Sequence, residues 1–185
     1  MMKRIAEIPN GPGARLTGVV YLLYFLTAIF AQYLGQHKLA AFSNATNLVA
    51  YALYVALAVL FYYLFKPVNT LISLIAAVIS VVGCIIGALA LFYAPASQIS
   101  PLWFFGPYCI LIGYLIFRST FLPRILGVLM VLAGIGWFTF LSPFGKYVTL
   151  YIEIVGIVAE ALLMLWLIVM GVNVQRWRKQ AELDA

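Results

Sequence analysis

Residues 148–170 read VTLYIEIVGIVAEALLMLWLIVM, an apolar run that contains two carboxyl groups, Glu153 and Glu160. At about 1.5 Å per residue, a helix of this length crosses the roughly 30 Å hydrocarbon core of a bilayer. A charged side chain at the bilayer centre costs about 2.5–3.5 kcal/mol even on the most lenient insertion scale, so it normally faces the interior of a helical bundle. The run therefore predicts a membrane-spanning helix with an acidic group inside the protein.

Five further apolar runs precede this one and fill almost the whole chain. Of the 185 residues, 66% are hydrophobic and only 9% are charged, whereas a soluble domain has roughly 45–50% and 25%. The five runs cover residues 16–34, 45–65, 71–93, 102–117 and 122–141, and the fourth is marginal for a span, which needs at least about 17 residues. We predict an all-α protein with one transmembrane domain, residues 1–185, in which six transmembrane helices form a bundle and a short polar tail, residues 175–185, follows.

Proline, serine and asparagine mark the ends of several predicted helices. Pro101 and Pro123 fall at or just before first turns, where a missing backbone donor is harmless, and Pro67 follows the second helix. Ser43 and Asn44 are residue types that cap helices, so we expect them to cap the second helix.

The basic residues predict how the bundle is oriented. Nine of the 11 Lys and Arg residues fall on one side of a six-helix arrangement, which leaves Lys38 and Lys146 on the other. Cytoplasmic loops carry the excess of basic residues, so we expect both termini in the cytoplasm. The first run is longer than the roughly 7–15 residue core of a signal peptide, so we expect a retained helix.

The chain lacks the residues that several classes of function require. The basic residues are scattered at the ends of apolar runs, which argues against nucleic acid as a partner. Cys84 and Cys109 lie within apolar runs at a spacing typical of neither zinc nor redox sites, and His37 is the only histidine. We expect no metal and no cofactor. An enzymatic function is disfavoured, because one acidic residue near the bilayer midplane has no recognisable catalytic partners in the sequence.

The two acidic residues of the last run differ in depth. They are seven residues apart and therefore share one helix face, about 10 Å from each other. Glu153 is close enough to the outer end to reach Lys146 or water, whereas Glu160 lies near the midplane with no basic residue at its depth. Glu160 is thus either a proton-binding group or polar anchor of a buried ligand, or a neutral acid that hydrogen-bonds a neighbouring helix and fixes packing.

Polar side chains on three other runs are possible partners of Glu160. Helical spacing places Tyr24, Ala28 and Gln32 on one face, Asn47, Tyr51 and Tyr54 on a second, and Ser80 and Cys84 on a third. Each tyrosine alone is better explained as a packing or interfacial residue, so only convergence of several around Glu160 would make a site. The candidate ligand-binding residues are Glu160, Glu153, Tyr24, Gln32, Asn47, Tyr54 and Ser80.

Small residues predict where helices approach closely. Gly83 and Gly87 form a Gly-x-x-x-Gly pair in the third run, and Gly127, Gly134 and Gly136 lie in the fifth. Such residues let helix backbones touch, which drives association in lipid. We expect them to pack helices inside the bundle, and a homo-oligomer interface is the alternative.

The stretch GYLIFRSTFLPRILGV, residues 113–128, resembles the signature of a bacterial membrane-protein family known as domain of unknown function 4386. Supporting matches are residues 15–30, residues 62–69, and Glu160 followed by Trp166 and Gly171. The resemblance implies a small multi-helix inner-membrane protein with an acidic residue in its last helix. It implies no particular activity.

These observations lead to one main hypothesis and two alternatives. The main hypothesis is a non-enzymatic protein of the lipid bilayer with a pocket or pathway near Glu160 for a small hydrophobic or cationic molecule, a lipid among them, with proton exchange as a further feature. The alternatives are a structural or accessory subunit of a larger membrane complex and an intramembrane enzyme.

Overall fold

The computed structural model describes residues 13–93, 100–140 and 145–183, apart from the side chains of residues 102, 140, 145–150 and 153. These ranges contain seven α-helices and no strand. The helices are α1 (Ala14–Gln36), α2 (Ala40–Phe65), α3 (Thr70–Ala90), α4 (Leu102–Arg118), α5 (Arg124–Phe140), α6 (Gly145–Val169) and α7 (Val174–Leu183). The prediction of an all-α protein is confirmed.

The first six helices form a closed arrangement. Each packs against the next along the chain, and α1 also packs against α6. The connections at residues 37–39, 66–69 and 119–123 are short, so the helices they join run antiparallel. One end of the bundle therefore holds the beginnings of α1, α3 and α5, and α7 follows the last of the six helices at that same end.

Three helices, α1 to α3, are long and apolar enough to cross a membrane. A fourth candidate is the pair Ile154–Val169 and Val174–Leu183, which is bent by 103° at its break. The segments Trp103–Arg118 and Arg124–Thr139 are apolar but shorter, at the lower limit of about 17 residues for a span. The apolar helices are those of a membrane protein, while the count of six spans and the orientation of the termini stay predictions.

The predicted cap of α2 is wrong. The helix begins at Ala40 with Leu39 as its N-cap, so Ser43 and Asn44 lie within its first two turns. The Ser43 hydroxyl donates to the carbonyl of Ala31 at 2.9 Å, and the Asn44 amide donates to the carbonyl of Leu91 at 3.5 Å. Both side chains bond the backbone of neighbouring segments, and α2 is one turn longer than predicted.

The polar tail is the helix α7. Asn173 caps it by accepting a hydrogen bond from a first-turn backbone N–H at 3.0 Å. The Trp177 indole donates to the carbonyl of Leu64 at 2.9 Å, and the Gln180 side chain accepts from the backbone N–H and the hydroxyl of Thr120 at 3.1 and 3.0 Å. These bonds hold α7 across the end of the bundle where α2 and α4 finish, an end we call the α7 end.

Helices α4 and α5 approach each other along four glycines, Gly106, Gly113, Gly127 and Gly134, which we call the glycine seam. A Cβ atom at Gly113 would lie 2.7 Å from the carbonyl oxygen of Gly127, and one at Gly134 would lie 2.7 Å from that of Gly106. Only hydrogen fits between the two backbones at these points. The glycines predicted in α5 thus pack inside the bundle.

The Gly-x-x-x-Gly pair of α3 also serves contacts within this chain. A Cβ at Gly83 would lie 2.8 Å from the Cβ of Phe104 in α4, and one at Gly87 would lie 2.6 Å from the Tyr51 hydroxyl of α2. The missing side chains make room for two aromatic residues that border the bundle interior.

The half of the bundle next to the α7 end has a packed apolar core, and we call this half the filled half. Its fully buried side chains come from α2, α4 and α6: Leu57, Leu64, Phe65, Leu115, Ile116, Leu163 and Leu167. The rings of Phe61 and Phe65 stack at 5.8 Å between centroids, and Phe65 continues to Phe121 at 6.2 Å. Close packing of this kind leaves little room for water among these side chains.

Candidate functional site

Glu160 lies in the middle of α6, buried to 4% exposure. The hydroxyl of Tyr21, from α1, donates a hydrogen bond to its Oε2 atom at 2.9 Å. A carboxylate has about four acceptor sites, so one phenol hydroxyl leaves most of its hydrogen-bonding capacity unused. The Tyr21 ring is fixed in turn, because it packs edge-on against Phe61 at 5.9 Å in the filled half.

A cavity of about 370 Å³ borders Glu160 on the side away from the α7 end. Its lining runs from Glu160 to Gln32, near the last turn of α1, and to Pro101, the N-cap of α4. All of the first six helices contribute side chains. The volume falls within the roughly 300–1,000 Å³ of typical small-molecule pockets.

Eight of the 17 described residues that line the cavity are aromatic. Tyr54 of α2 is central, with its ring centroid 4.6 Å from that of Tyr24 and 5.7 Å from those of Phe105 and Tyr108. Phe105 continues the chain of rings to Trp137 of α5 at 5.5 Å. The aromatic lining residues are Tyr24, Phe25, Tyr51, Tyr54, Phe104, Phe105, Tyr108 and Trp137.

Three buried hydroxyl groups on this wall have no hydrogen-bond partner within the part of the chain that the structure describes. They belong to Tyr54, Ser80 and Tyr108, whose side chains are 5%, 3% and 3% exposed. Buried polar groups nearly always have a partner, and leaving one unsatisfied costs about 1–3 kcal/mol. All three residues line the cavity, but their hydroxyl oxygens have almost no accessible surface.

The structure brings most of the predicted site residues together. Five of them border the one cavity: Glu160, Tyr24, Gln32, Tyr54 and Ser80. Asn47 stands apart, because its amide donates to the backbone carbonyl of Ser43 at 3.0 Å and to the Ser43 hydroxyl at 3.4 Å. The side chain of Glu153 lies outside the described residues.

Sequence reasoning missed Tyr21, the partner of Glu160, together with Phe105, Tyr108 and Trp137. A signal for Tyr21 existed, since it precedes Tyr24 by three residues and therefore shares its helix face. No such signal existed for α4 and α5, because both are apolar all round and the sequence does not tell which face turns inward.

The donor set around the cavity suits organic ligands. Within the described ranges there is no cluster of three or more His, Cys, Asp or Glu residues that could hold a metal ion. Cys84 and Cys109 are buried free thiols, and only Cys84 borders the cavity. The arrangement can surround an apolar body with aromatic rings and present one carboxyl group and several hydroxyls to its polar end.

The chain resembles a known family over part of its length. The family described as Domain of unknown function (DUF4386) matches residues 95–171. The matched segment includes the glycine seam, Phe105, Tyr108, Trp137 and Glu160, so it carries one wall and the acidic group of the cavity. No curated protein and no solved structure matches the chain.

Proposed function

We propose that this chain is a six-span protein of the bacterial inner membrane, with both termini in the cytoplasm, that binds or translocates a small hydrophobic or cationic molecule in the cavity beside Glu160. Proton exchange at the Glu160 carboxyl is part of the proposal. The observation that carries it is the aromatic cavity of about 370 Å³ that ends on this buried acid.

The packing around Glu160 favours a ligand site over a purely structural role. If the carboxyl only fixed packing, large side chains would be expected on every side of it, as in the filled half. Instead the carboxyl borders open volume, and the same volume is lined by Tyr54, Ser80 and Tyr108, whose buried hydroxyls have no described protein partner. A ligand would supply both the missing contacts and the missing hydrogen bonds.

The contrast between the two ends supports translocation. The cavity runs from Glu160 to Gln32 and Pro101, near helix ends, whereas the filled half closes the α7 end with stacked phenylalanines. A carrier must expose its site to one side at a time, and a cavity in one half of the bundle with a packed core in the other half fits one such state.

Cys84 offers a direct test, because it borders the cavity while Cys109 does not. We expect N-ethylmaleimide to label Cys84 in a Cys109→Ala background of the purified full chain. A bound aromatic probe, 2-phenylethylamine or 2-phenylethanol, should slow this labelling and raise the thermal unfolding temperature. In the matched Cys84→Ala protein, labelling of Cys109 should not respond to either probe.

A pair of substitutions separates occupancy of the cavity from general disturbance. Ala28→Leu adds volume inside the cavity, whereas Ala52→Leu adds the same volume at an exposed position of α2. Only Ala28→Leu should abolish the protection of Cys84. Protection by neither probe, or equal protection in both variants, would contradict a ligand site here.

Proton exchange has its own test in the Glu160→Gln protein, which keeps the side-chain volume and hydrogen bonding but cannot titrate. Binding of 2-phenylethylamine to the original chain should change between pH 5 and pH 8, and binding to the variant should be flat. The same pH profile in both proteins would remove proton exchange from the proposal and leave ligand binding intact.

The topology is tested with alkaline phosphatase, which is active only outside the cytoplasm. A fusion after Ala185 should be inactive, and a fusion in the connection at Lys38 should be active. Activity at both Ala185 and Lys38 would contradict the even number of spans, and activity at Ala185 alone would contradict cytoplasmic termini.

A further inference from the structure

The proposed cavity site can be assigned a ligand class. Resting on the proposed function, we infer that its occupant is a protonated amine with an apolar, ring-sized body, whose ammonium group lies between the Glu160 carboxyl and the hydroxyls of Tyr54 and Tyr108. Four features of the site lead to this class: its charges, its ring faces, its hydroxyls and its volume.

The charges around the cavity select a cation. Glu160 is the one acidic residue among the described lining residues, and no basic residue lines the cavity in that set. An anion would meet a carboxyl group and the negative ring faces with nothing to neutralise it. A neutral molecule would leave the buried carboxyl group protonated, with Tyr21 as its described hydrogen-bond partner, whereas a cation would supply the opposite charge that a buried carboxylate needs.

The ring faces provide a second attraction for positive charge. A cation within about 6 Å of an aromatic centroid is attracted by the ring quadrupole, and this attraction strengthens when water is excluded. Tyr24 and Tyr108 flank Tyr54 at centroid distances of 4.6 and 5.7 Å, so a group seated among them contacts several rings at once. These rings and Glu160 border the same volume.

The hydroxyls distinguish an ammonium with N–H groups from a quaternary one. The Tyr54, Tyr108 and Ser80 oxygens lack described partners and have almost no accessible surface, so these side chains must turn toward a ligand to accept its hydrogen bonds. An alkylammonium group has three N–H donors, enough for the carboxyl group and two hydroxyls. A quaternary ammonium has none, so it would leave these buried oxygens unsatisfied.

The volume limits the size of the body. About 370 Å³ lies near the lower end of the roughly 300–1,000 Å³ range of small-molecule pockets. This is room for a single aromatic ring with a short amine-bearing chain. The wall of aromatic residues matches such a body, since stacked and edge-on ring contacts are favourable in either orientation.

The test compares three probes of the same skeleton on the purified full-length chain. They are 2-phenylethylamine, its neutral analogue 2-phenylethanol and its quaternary analogue N,N,N-trimethyl-2-phenylethylammonium, each titrated by calorimetry and by protection of Cys84. We expect the amine to bind about tenfold tighter than the alcohol, because hydrogen bonds to a charged group are worth about 1.5–3 kcal/mol. The quaternary ion should bind more weakly than the amine.

Variants identify the groups responsible. Glu160→Gln should reduce the advantage of the amine over the alcohol to about twofold or less. Tyr54→Phe and Tyr108→Phe retain the rings and the acid, and they should narrow the difference between the amine and the quaternary ion. Tyr63→Phe, at an exposed position of α2, is the matched control and should change no affinity.

The possible outcomes separate this inference from the function it rests on. If the alcohol binds as tightly as the amine and both protect Cys84, the cavity is a ligand site but the amine assignment is wrong. If the quaternary ion binds as tightly as the amine, the role of the hydroxyls is wrong. If no probe protects Cys84 or raises the unfolding temperature, the proposed function itself is contradicted.

Discussion

The same helices build two halves of the bundle that differ in what fills them. Near the α7 end, α2, α4 and α6 contribute residues such as Leu64, Leu115 and Leu167, which are fully buried and leave no space. Toward the opposite end the same three helices carry Tyr54, Tyr108 and Glu160, and a cavity takes the place of the core. Aliphatic and aromatic side chains can fill a core without hydrogen-bond partners. Buried hydroxyl groups need such partners, and in the cavity half the described residues do not supply them all.

The boundary between the halves is where the acid lies. Tyr21 connects the two, since its ring packs against Phe61 of the filled half while its hydroxyl points to Glu160 at the floor of the cavity. A rigid, dry base beneath a polar group holds that group in one position, which is what a binding site requires. The comparison therefore predicts that substitutions in the filled half act on stability and those around the cavity act on binding.

The largest effect is expected at the glycine seam. A side chain at Gly113 would meet the Gly127 carbonyl oxygen at 2.7 Å and the Val131 backbone nitrogen at 2.8 Å, and backbone cannot move aside as a side chain can. We expect Gly113→Val to lower the free energy of unfolding by about 3 kcal/mol or more. Val128→Ile adds one carbon at an exposed position of α5 and should stay within about 0.5 kcal/mol. Thermal unfolding in detergent measures both, and a Gly113→Val protein as stable as the original would show that α4 and α5 can separate.

A second contrast lies within α6. Leu163 is fully buried in the filled half, whereas Ile157 borders the cavity and is 54% exposed. Leu163→Ala should cost about 2–5 kcal/mol, because it creates a void in a packed core. Ile157→Ala removes a side chain that already adjoins open space, so its cost should be below about 1 kcal/mol. Equal costs in denaturant titrations would mean that the two halves are packed alike.

The sequence predicted the helices well because apolar length is a local property. Every predicted run is a helix, and Glu160 stood out because a carboxyl in apolar sequence is rare whatever the fold. The helix α7 was missed because it is short and polar, and it is held by contacts such as the Trp177 bond to Leu64. Asn173, a strong N-cap residue directly before it, was the available signal.

The site was predictable only as far as helical periodicity reaches. Periodicity placed Tyr24 and Gln32 on one face of α1, and the structure puts both on the cavity wall. It could not place Tyr108 or Trp137, because rotation of a helix that is apolar all round is decided by packing, here by the glycine seam. Asn47 was predicted on the same face as Tyr54, but its amide donates to the Ser43 carbonyl of its own helix. Asparagine side chains can form such local bonds to the backbone, and the sequence does not show which bond forms.

A third prediction compares two buried phenol hydroxyls. The Tyr21 hydroxyl is bonded to Glu160, so Tyr21→Phe leaves a buried carboxyl without its described partner and should cost about 1–3 kcal/mol. The Tyr54 hydroxyl has no partner in the described ranges, so Tyr54→Phe should be neutral or stabilising by up to about 1 kcal/mol. Unfolding temperatures of the two variants, measured without ligand, give the stability cost of removing each hydroxyl. A larger loss in Tyr54→Phe than in Tyr21→Phe would place a hydrogen-bond partner at Tyr54.

The smallest effect is expected where α7 meets the filled half. Trp177→Phe retains an aromatic ring but removes the 2.9 Å hydrogen bond to the Leu64 carbonyl, which should lower the free energy of unfolding by about 1 kcal/mol. Trp103→Phe, at an exposed position of α4, is the matched control and should change stability by less than about 0.5 kcal/mol. Because α7 lies at the end opposite the cavity, neither variant should alter the affinity for 2-phenylethylamine. A changed affinity in Trp177→Phe alone would show that the α7 end and the cavity are coupled, and the filled half would then have to move when ligand binds.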